Sequence, residues 1–495
     1  MNLPRAQDDD ESPDDDEGQL DLTGVLSRRL EQLRDEAWVK PVLATALARM
    51  APSAARVARY DIEYCKIKPN RDINLVAHVR FEPGPSGATP PHRFSCTVFP
   101  SADACRLKYA EDELNPLSES TRRLLAAQGF ERPVVRLEDP AMIVRAFPVD
   151  PLLPGLAHAI DEQDMLPLFA HHLEACRRVG KEPRGFEHEI LHYKPRRSCI
   201  VQYDIDLGLG NGAATGRARV YGKVARDDRG ERNHAVLQAA WEAAQASGTW
   251  RAARPVTYLP EWHLLLQEAV PGRDFRYVFA ELTPDEITPA QLALVRRHLG
   301  NIVAAVRSLQ RAPLDGGPVK SFQRLFDEQA KNLLYLGRTE PHLAAEIGAL
   351  REELVRVERD TQPADLVFCH GDFAHGNVLI DGETVGIIDF DKSGAAEPAF
   401  DIAYFLTHLW SFGLRHPKRM PTVTRLWKDM RGKYLALAPE VSSERLAVYE
   451  ALDFAAYVLR NFRKQSHQAS WLAWAGGQIE AARQRLDIAA GRVQA

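Results

Sequence analysis

The stretch VFCHGDFAHGNVLIDGETVGIIDFDKSG, residues 367–394, sets two carboxylates and a carboxamide, Asp372, Asn377 and Asp389, among short apolar runs. "LVFCH" reads as a buried strand, "GDFAHG" as a loop, "NVLI" as a strand, "DGE" as a turn and "TVGIIDF" as a returning strand. The antiparallel return puts Asn377 beside Asp389, with Asp372 close to both. Such a trio suits phosphoryl transfer. Magnesium takes oxygen ligands in near-octahedral geometry, usually one or two protein groups with the remainder from phosphates and water. Asn377 and Asp389 supply that pair. Asp372 is then left to accept the proton of an attacking hydroxyl, or to orient it in line. Taken singly, the three also read as a loop cap, a turn former and a solvated strand-end acid. Leaving all three unpaired among valine, isoleucine and phenylalanine would be costly, which favours the joint reading.

"HGDFAHGN" followed by "IIDF" and "EPAFDIAYF" resembles the aminoglycoside phosphotransferase and choline kinase family, which shares the protein-kinase fold. His370, Asp372 and Asn377 meet its H-x-D-x-x-x-x-N spacing. The resemblance implies that Asp372 is the catalytic aspartate and that Asn377 and Asp389 hold Mg2+, with ATP as the nucleotide. It implies that Asp401 is a buried acid holding the catalytic loop from the following helix, and that His370 is a buried anchor of the loop. It covers about Gly185 to the C-terminus and is strongest from 364 to 408. His375 reads as a surface loop histidine, with contact to substrate as its other meaning.

A kinase fold needs a cation on a strand for the α- and β-phosphates. "RARVYGKVARDD" offers Lys223 in an alternating strand; an outward-facing solubilising lysine is its other meaning. The resemblance implies the phosphate role, with Glu242 on the next helix as partner and Glu231 as a weaker choice. The chain has no glycine-rich loop of the protein-kinase type. The equivalent hairpin is "YKPRRSC", where amides near Ser198 and the charges of Lys194, Arg196 and Arg197 either cover phosphate or form a plain polar turn. "LLLQEAVPG" is the expected hinge, where the resemblance implies that the backbone of Gln267, Glu268 and Ala269 meets the adenine edge.

The elements that must carry these residues come from the rest of the chain. Residues 21–50 show helical spacing, and "NLVAHVRFE" and "RFSCTVF" read as strands around the hairpin loop "EPGPSGATPPH". "LSESTRRLLAAQGF" is a helix capped by serine and ended by Gly129, and "DMLPLFAHHLEACRRVG" is another helix stopped by glycine. The strand pattern then returns. Lys68-Pro69 and Lys194-Pro195 are 126 positions apart, and "RFSCTVF" and "RVYGKVA" keep that offset. A helix and two strands follow in both copies, which points to a duplicated lobe. Thr97 stands in the first copy where the second has Lys223. After Gly272 the chain is helical apart from the stretch 367–394.

The expected fold class is α+β: a bilobal protein-kinase-like fold, with a small β-rich N-lobe and a helical C-lobe, preceded by an extra N-terminal α+β domain resembling a degenerate second N-lobe. The expected boundaries are 1–20 for a disordered acidic tail, 21–180 for the extra domain without an ATP site, 181–272 for the nucleotide-binding N-lobe and 273–495 for the helical C-lobe with its catalytic loop and acceptor pocket.

Composition narrows the partners. The 495 residues are 45% hydrophobic and 26% charged with a net charge of −5, which does not indicate wholesale nucleic-acid binding. Much of the deficit lies in "DDDESPDDDEG", a self-repelling tail. The sequence shows no signal peptide and no apolar run long enough to span a membrane. Six scattered cysteines read as buried thiols of a reducing cytoplasm. A protein partner for the N-terminal domain or the acidic tail is left open. From Gly413 onward there are 14 lysines and arginines against 7 aspartates and glutamates. Polycationic aminoglycosides need acidic pockets, so an anionic or neutral hydroxyl compound fits better, if these residues face the cleft instead of forming a solvated surface. The leading reading is an ATP- and Mg2+-dependent kinase acting on a small-molecule hydroxyl: a sugar, an amino alcohol or a related metabolite. A protein kinase of the same fold and a non-catalytic nucleotide-binding scaffold are the rival readings.

Overall fold

The computed structural model describes residues 28–493 apart from 30–31, 34, 51–55, 69–70, 83–91, 180–181, 209–215, 316 and 466–469. The expected acidic tail and the proline-rich hairpin loop lie outside the described residues. Two compact units result. One holds the described residues up to His234 together with Val256–Ala269; the other holds Ala235–Pro255 and the described residues from Val270 onward.

In chain order the strands of the first half are β1 (Val57–Lys68), β2 (Asp72–Phe81), β3 (His92–Val98), β4 (Val134–Leu137), β5 (Met142–Ala146), β6 (Gly185–Lys194), β7 (Ser198–Asp206) and β8 (Arg217–Ala225). They are followed by β9 (Trp250–Arg251), β10 (Pro255–Leu259) and β11 (Leu264–Glu268). The first unit contains two five-stranded sheets, ordered β1-β2-β3-β5-β4 and β6-β7-β8-β11-β10. The orders correspond strand for strand. The pairing corresponds as well: each of the seven β2–β3 pairs, from Ile73↔Val98 to Val79↔His92, becomes a β7–β8 pair when 126 is added to both members. The repeat visible in the sequence is therefore a repeat of hydrogen-bond register, which a chance likeness between two small sheets would not reproduce.

Between β3 and β4 the chain forms two helices, Ala102–Glu113 and Glu119–Gln128. The second starts where Ser118 accepts the Thr121 N–H and ends at Gly129, whose φ of 76° suits a residue without a Cβ. The run expected as one helix from Asp164 breaks at Leu173, which adopts an extended backbone between the helices Glu162–His172 and Glu174–Val179. Leu173 is 1% exposed; the break accompanies burial of its side chain with Met165, Phe169 and Cys176. The six cysteines are unbridged thiols, and Cys65 departs from the expectation by being exposed on β1.

The second unit adds β12 (Arg273–Asp274), β13 (Val367–Cys369), β14 (Val378–Asp381), β15 (Thr384–Ile387) and β16 (Gly394–Ala396) to a set of helices. Its longest helices are Pro289–Arg311, opened by a Thr288/Gln291 capping box, and Ser443–Gln465. The strands β12, β14, β15 and β9 form one sheet, and β13 pairs with β16. Phe275, Phe279, Val303, Phe373, Phe405 and Leu406 close the core beneath these strands, each at most 1% exposed. Burial of such a side chain contributes about 1.5–3 kcal/mol. Among the described residues no helix is long and apolar enough to cross a membrane.

Candidate active site

The stretch 367–394 keeps the expected order of strand, loop and hairpin, but the third strand ends at Ile387, short of Phe390, and Asn377 lies in a 3-10 turn ahead of its strand. β13 leads into a loop, a short 3-10 turn His375–Asn377 leads into β14, and β14 returns through Gly382 into β15. The register of this hairpin sets Asn377 and Asp389 at the same end. Val378 pairs with Ile387, and the Ile388 N–H donates to the Asn377 carbonyl at 3.0 Å. Asp389 is thus the next residue beyond the position opposite Asn377. The Asn377 Nδ2 donates to the Asp372 carbonyl at 2.9 Å, tying the loop to the hairpin. That bond uses the amide nitrogen and leaves Oδ1 as the group of Asn377 suited to a cation.

Asp389 sits at φ 68° and ψ 68°, in the left-handed region that residues other than glycine rarely adopt. Such strain clusters at functional positions, where the surroundings over-determine the backbone. Gly371 is also left-handed, at φ 82°, and a Cβ there would overlap the Lys392 carbonyl oxygen. The loop and the segment after β15 approach so closely that glycine is required in "HGD".

His370 and Asp401 hold the loop from below, and both are fully buried. Asp401, in the helix Ala399–Arg415, accepts the His370 N–H at 2.7 Å and the Gly371 N–H at 2.9 Å. Burial pushes its carboxyl above the usual range, and the nearby His370 together with these N–H donors pulls the other way. The His370 Nδ1 accepts the Asp372 N–H at 3.2 Å, so its Nε2 carries the proton donated to the Ile388 carbonyl at 2.9 Å. His370 thereby joins the loop to the end of the hairpin, with both ring nitrogens occupied. The Asp372 side chain is 7% exposed, and its Oδ2 lies 3.3 Å from the Lys392 ammonium.

Three features of this site go beyond what the motifs mark. Lys392 is the first; its signal was a lysine three positions after Asp389, which reads by default as a solvated charge. The second is the ion cluster of Glu397 and Arg445. Arg445, 2% exposed, donates its Nε to Glu397 at 2.7 Å and also reaches Glu358 at 3.0 Å, while Tyr449 donates to Glu397 at 3.0 Å. The third is His408. The expected surface histidine His375 is half-buried, with its Nδ1 inside the protein and lacking a hydrogen-bond partner. The turn folds its ring against His408, with centroids 5.0 Å apart. Burial, then Arg276 and Arg415, pushes His375 down to about 3, and burial likewise holds His408 well below the usual imidazole range.

The basic excess after Gly413 is partly consumed by structure. Arg419 pairs with Asp285, Arg431 with Glu450, Arg445 with Glu397 and Glu358, Arg483 with Glu346, and Arg492 with Glu353 and Asp487. Arg415 lies over Trp474, and Arg460 lies over Tyr404. These contacts account for many of the charges as packing and pairing.

The residues expected to meet a nucleotide lie mostly in the other unit. Lys223 is half-buried on β8, between Ile200 on β7 and Leu265 on β11. Ser198 opens β7 opposite Lys194. Gln267 and Glu268 pair with Tyr221 and Val220, and the Ala269 N–H donates to the Arg219 carbonyl at 3.1 Å, so that amide is already engaged. Glu242 is exposed on the helix Gly230–Ser247 and accepts from the Gln238 side chain at 2.5 Å.

Residues 214–428 match the model of the phosphotransferase enzyme family (APH). This segment spans Lys223 and the whole stretch from His370 to Asp401. The resemblance to the aminoglycoside phosphotransferase and choline kinase family is borne out there. Streptomycin 3''-kinase of Streptomyces griseus is 29% identical over 127 residues, covering 23% of this chain; the chain spans 46% of that relative's length. Among solved structures, choline kinase LicA from Streptococcus pneumoniae covers 66% of this chain and 98% of its own, at 14% identity and a TM-score of 0.40. A thermostable mutant of aminoglycoside phosphotransferase APH(4)-Ia in ternary complex with ADP and hygromycin B covers 64% of this chain and 98% of its own, at 13% identity and a TM-score of 0.41.

Proposed function

We propose that this protein transfers the γ-phosphoryl group of ATP to a hydroxyl of a small molecule, in a Mg2+-dependent reaction. The observation that carries the reading is the tie among three segments. Asn377 is bonded to the Asp372 carbonyl, Ile388 to Asn377, and His370 to both Asp372 and Ile388. This holds one carboxylate on the loop and a carboxylate with a carboxamide at the hairpin end.

The donor set fits Mg2+. Among the described residues no group of three or more His, Cys, Asp or Glu could hold a metal. An ion held by Asp389 and the Asn377 Oδ1 would draw its remaining ligands from phosphates and water, as Mg2+ in nucleotide sites does. Bound there, it would neutralise charge on the phosphates. Asp372 accepts the proton of the acceptor hydroxyl or orients that hydroxyl, and the loop anchors limit its movement. Lys392 balances its charge until substrate enters. In the nucleotide lobe, Lys223 is the candidate for the α- and β-phosphates, with Ser198 at the β6–β7 turn. Gln267, Glu268 and Ala269 are the candidates for the base edge, and Glu242 is the candidate partner of Lys223.

The test is incubation with labelled ATP, Mg2+ and pooled hydroxyl metabolites, beside Asp372→Asn. Label is expected on a small molecule, with about a 10²- to 10⁴-fold lower rate in the variant. Label on protein, or ATP binding without transfer in every pool, would sink the proposal. Lys223→Ala is expected to weaken ATP binding; unchanged affinity would overturn the assignment of the nucleotide site to this lobe.

A further inference from the structure

Because the β2–β3 and β7–β8 ladders share a register, each position in one lobe has a counterpart in the other. At the place of Lys223 the first lobe has Thr97, and that place is filled from within. Arg145, 2% exposed on β5, donates to the Thr97 hydroxyl at 3.1 Å and to Asp112 at 3.0 Å. Thr97 in turn donates to Asn74, the counterpart of Ile200, at 3.2 Å. Asp112 comes from the helix Ala102–Glu113, which the second lobe lacks: a single helix, Gly230–Ser247, follows β8 there. Cation, hydroxyl and carboxylate on this face of the first lobe are committed to one another.

Two acidic groups of the first lobe, Asp112 and Asp150, also reach the second lobe. The turn 195–197 between β6 and β7 is the hairpin that stands in place of a glycine-rich loop. Arg196 within it is left-handed at φ 64°, a conformation that costs an ordinary residue about 1–2 kcal/mol. Asp150 of the first lobe, 7% exposed, accepts the Arg196 N–H at 2.6 Å and the Tyr193 hydroxyl at 2.9 Å on one oxygen. Its other oxygen accepts the Leu152 N–H at 3.0 Å. The Asp112 carboxylate lies 3.8 Å from the Arg196 guanidinium. Phe147 of the first lobe packs edge-on against Tyr193 at 5.3 Å.

We infer that the N-terminal lobe is an intramolecular clamp on this turn, with Asp150 as a positioning residue for nucleotide binding. A glycine-rich loop covers phosphate by its own backbone freedom. Here an arginine is forced into the glycine-like conformation, and a carboxylate from the duplicated lobe holds it there. The clamp sets where Ser198 and the flanking cations stand. The inference rests on the reading of the β6–β7 hairpin as the phosphate-facing part of a nucleotide lobe.

The experiment uses the full chain and AMP-PNP with Mg2+, measured by titration calorimetry, alongside the thermal midpoint of each variant. Asp150→Ala is expected to weaken AMP-PNP binding about tenfold, the effect of losing charge-assisted hydrogen bonds. Asp150→Asn, which keeps an acceptor oxygen, should recover part of the loss. Tyr193→Phe should give a smaller loss of affinity with a thermal midpoint lowered by only about 2–4 °C, and it decides the matter if Asp150→Ala does not fold. Wild-type affinity in the Asp150 variants or in Tyr193→Phe would overturn the clamp, as would a loss that follows only the unfolded fraction. Lys223→Ala separates the two ideas. If it binds AMP-PNP normally, the nucleotide reading fails; if it binds weakly while the Asp150 and Tyr193 variants bind normally, the clamp alone fails.

Discussion

Lys392 and Asp372 form an ion pair at 3.3 Å in which the carboxylate is far more withdrawn from water than the ammonium, at 7% against 23% exposure. Removing the lysine leaves a desolvated carboxylate without its counter-charge. Lys392→Ala is therefore expected to cost about 1–3 kcal/mol in urea unfolding and to lower turnover, with Lys392→Arg restoring the stability. Identical unfolding of Lys392→Ala and wild type would show that the pair contributes nothing. Gly371 gives a second test. Its left-handed backbone and its approach to the Lys392 carbonyl leave no room for a methyl group. Gly371→Ala should cost at least about 1–2 kcal/mol from backbone strain alone and displace Asp372, reducing turnover more than nucleotide affinity. Equal activity in this variant would contradict the described loop.

At the scale of elements, the helix Ala399–Arg415 and the loop before it are fastened by paired charges. Asp401 holds the loop through two backbone N–H groups, and Glu397 joins the start of that helix to Arg445 in the helix Ser443–Gln465 and to the Ala364 N–H at 3.1 Å. Breaking a buried pair by removing one partner typically costs about 3–5 kcal/mol, because the other charge stays buried and uncompensated. Arg445→Ala should approach that loss in chemical denaturation. A change below about 0.5 kcal/mol would mean that solvent reaches Glu397, contrary to its 6% exposure. The pairing of β14 with β15 was legible beforehand, since strand alternation around "DGE" specifies a hairpin. These fastenings were not, because a glutamate or arginine in sequence carries no mark of the helix that will cover it.

At the scale of the second unit, acidic groups are buried deeply enough to make its stability depend on pH. Burial pushes Asp453 up to about 7, with Arg460 at 3.7 Å pulling the other way and Asp401 and Glu450 adding to the rise. The unfolded chain releases this proton near the ordinary aspartate value of about 3.9, so the folded state holds the extra proton between there and about pH 7. Stability from this group therefore falls as pH rises across that window and levels off above it. Asp453→Asn should lose less stability between pH 5 and pH 8 than wild type, by on the order of 1 kcal/mol or more. Parallel curves would refute the burial argument. In the first unit the doubled register of the two sheets explains how a lobe with Thr97 in place of Lys223 keeps its fold: the ladder is a backbone property, and a buried Arg145–Asp112 pair occupies the position.

What the amino-acid order determined by itself is short in range. It specified the 367–394 hairpin and the loop ahead of it and the Ser118 and Gly129 caps, because alternation, capping and turn chemistry act over a few residues, and the repeat at an offset of 126 is legible only as the same local pattern written twice. Tertiary structure decided the remainder: that Lys392 faces Asp372, that His375 turns inward against His408, that Leu173 breaks a helix, and that Asp150 reaches Arg196 across 46 positions. Lysine, histidine and aspartate are at home in water or in a pair, and a leucine is buried as readily from a helix as from an extended break. The choice depends on which segments pack together, and on whether the pairing offsets the desolvation that packing imposes.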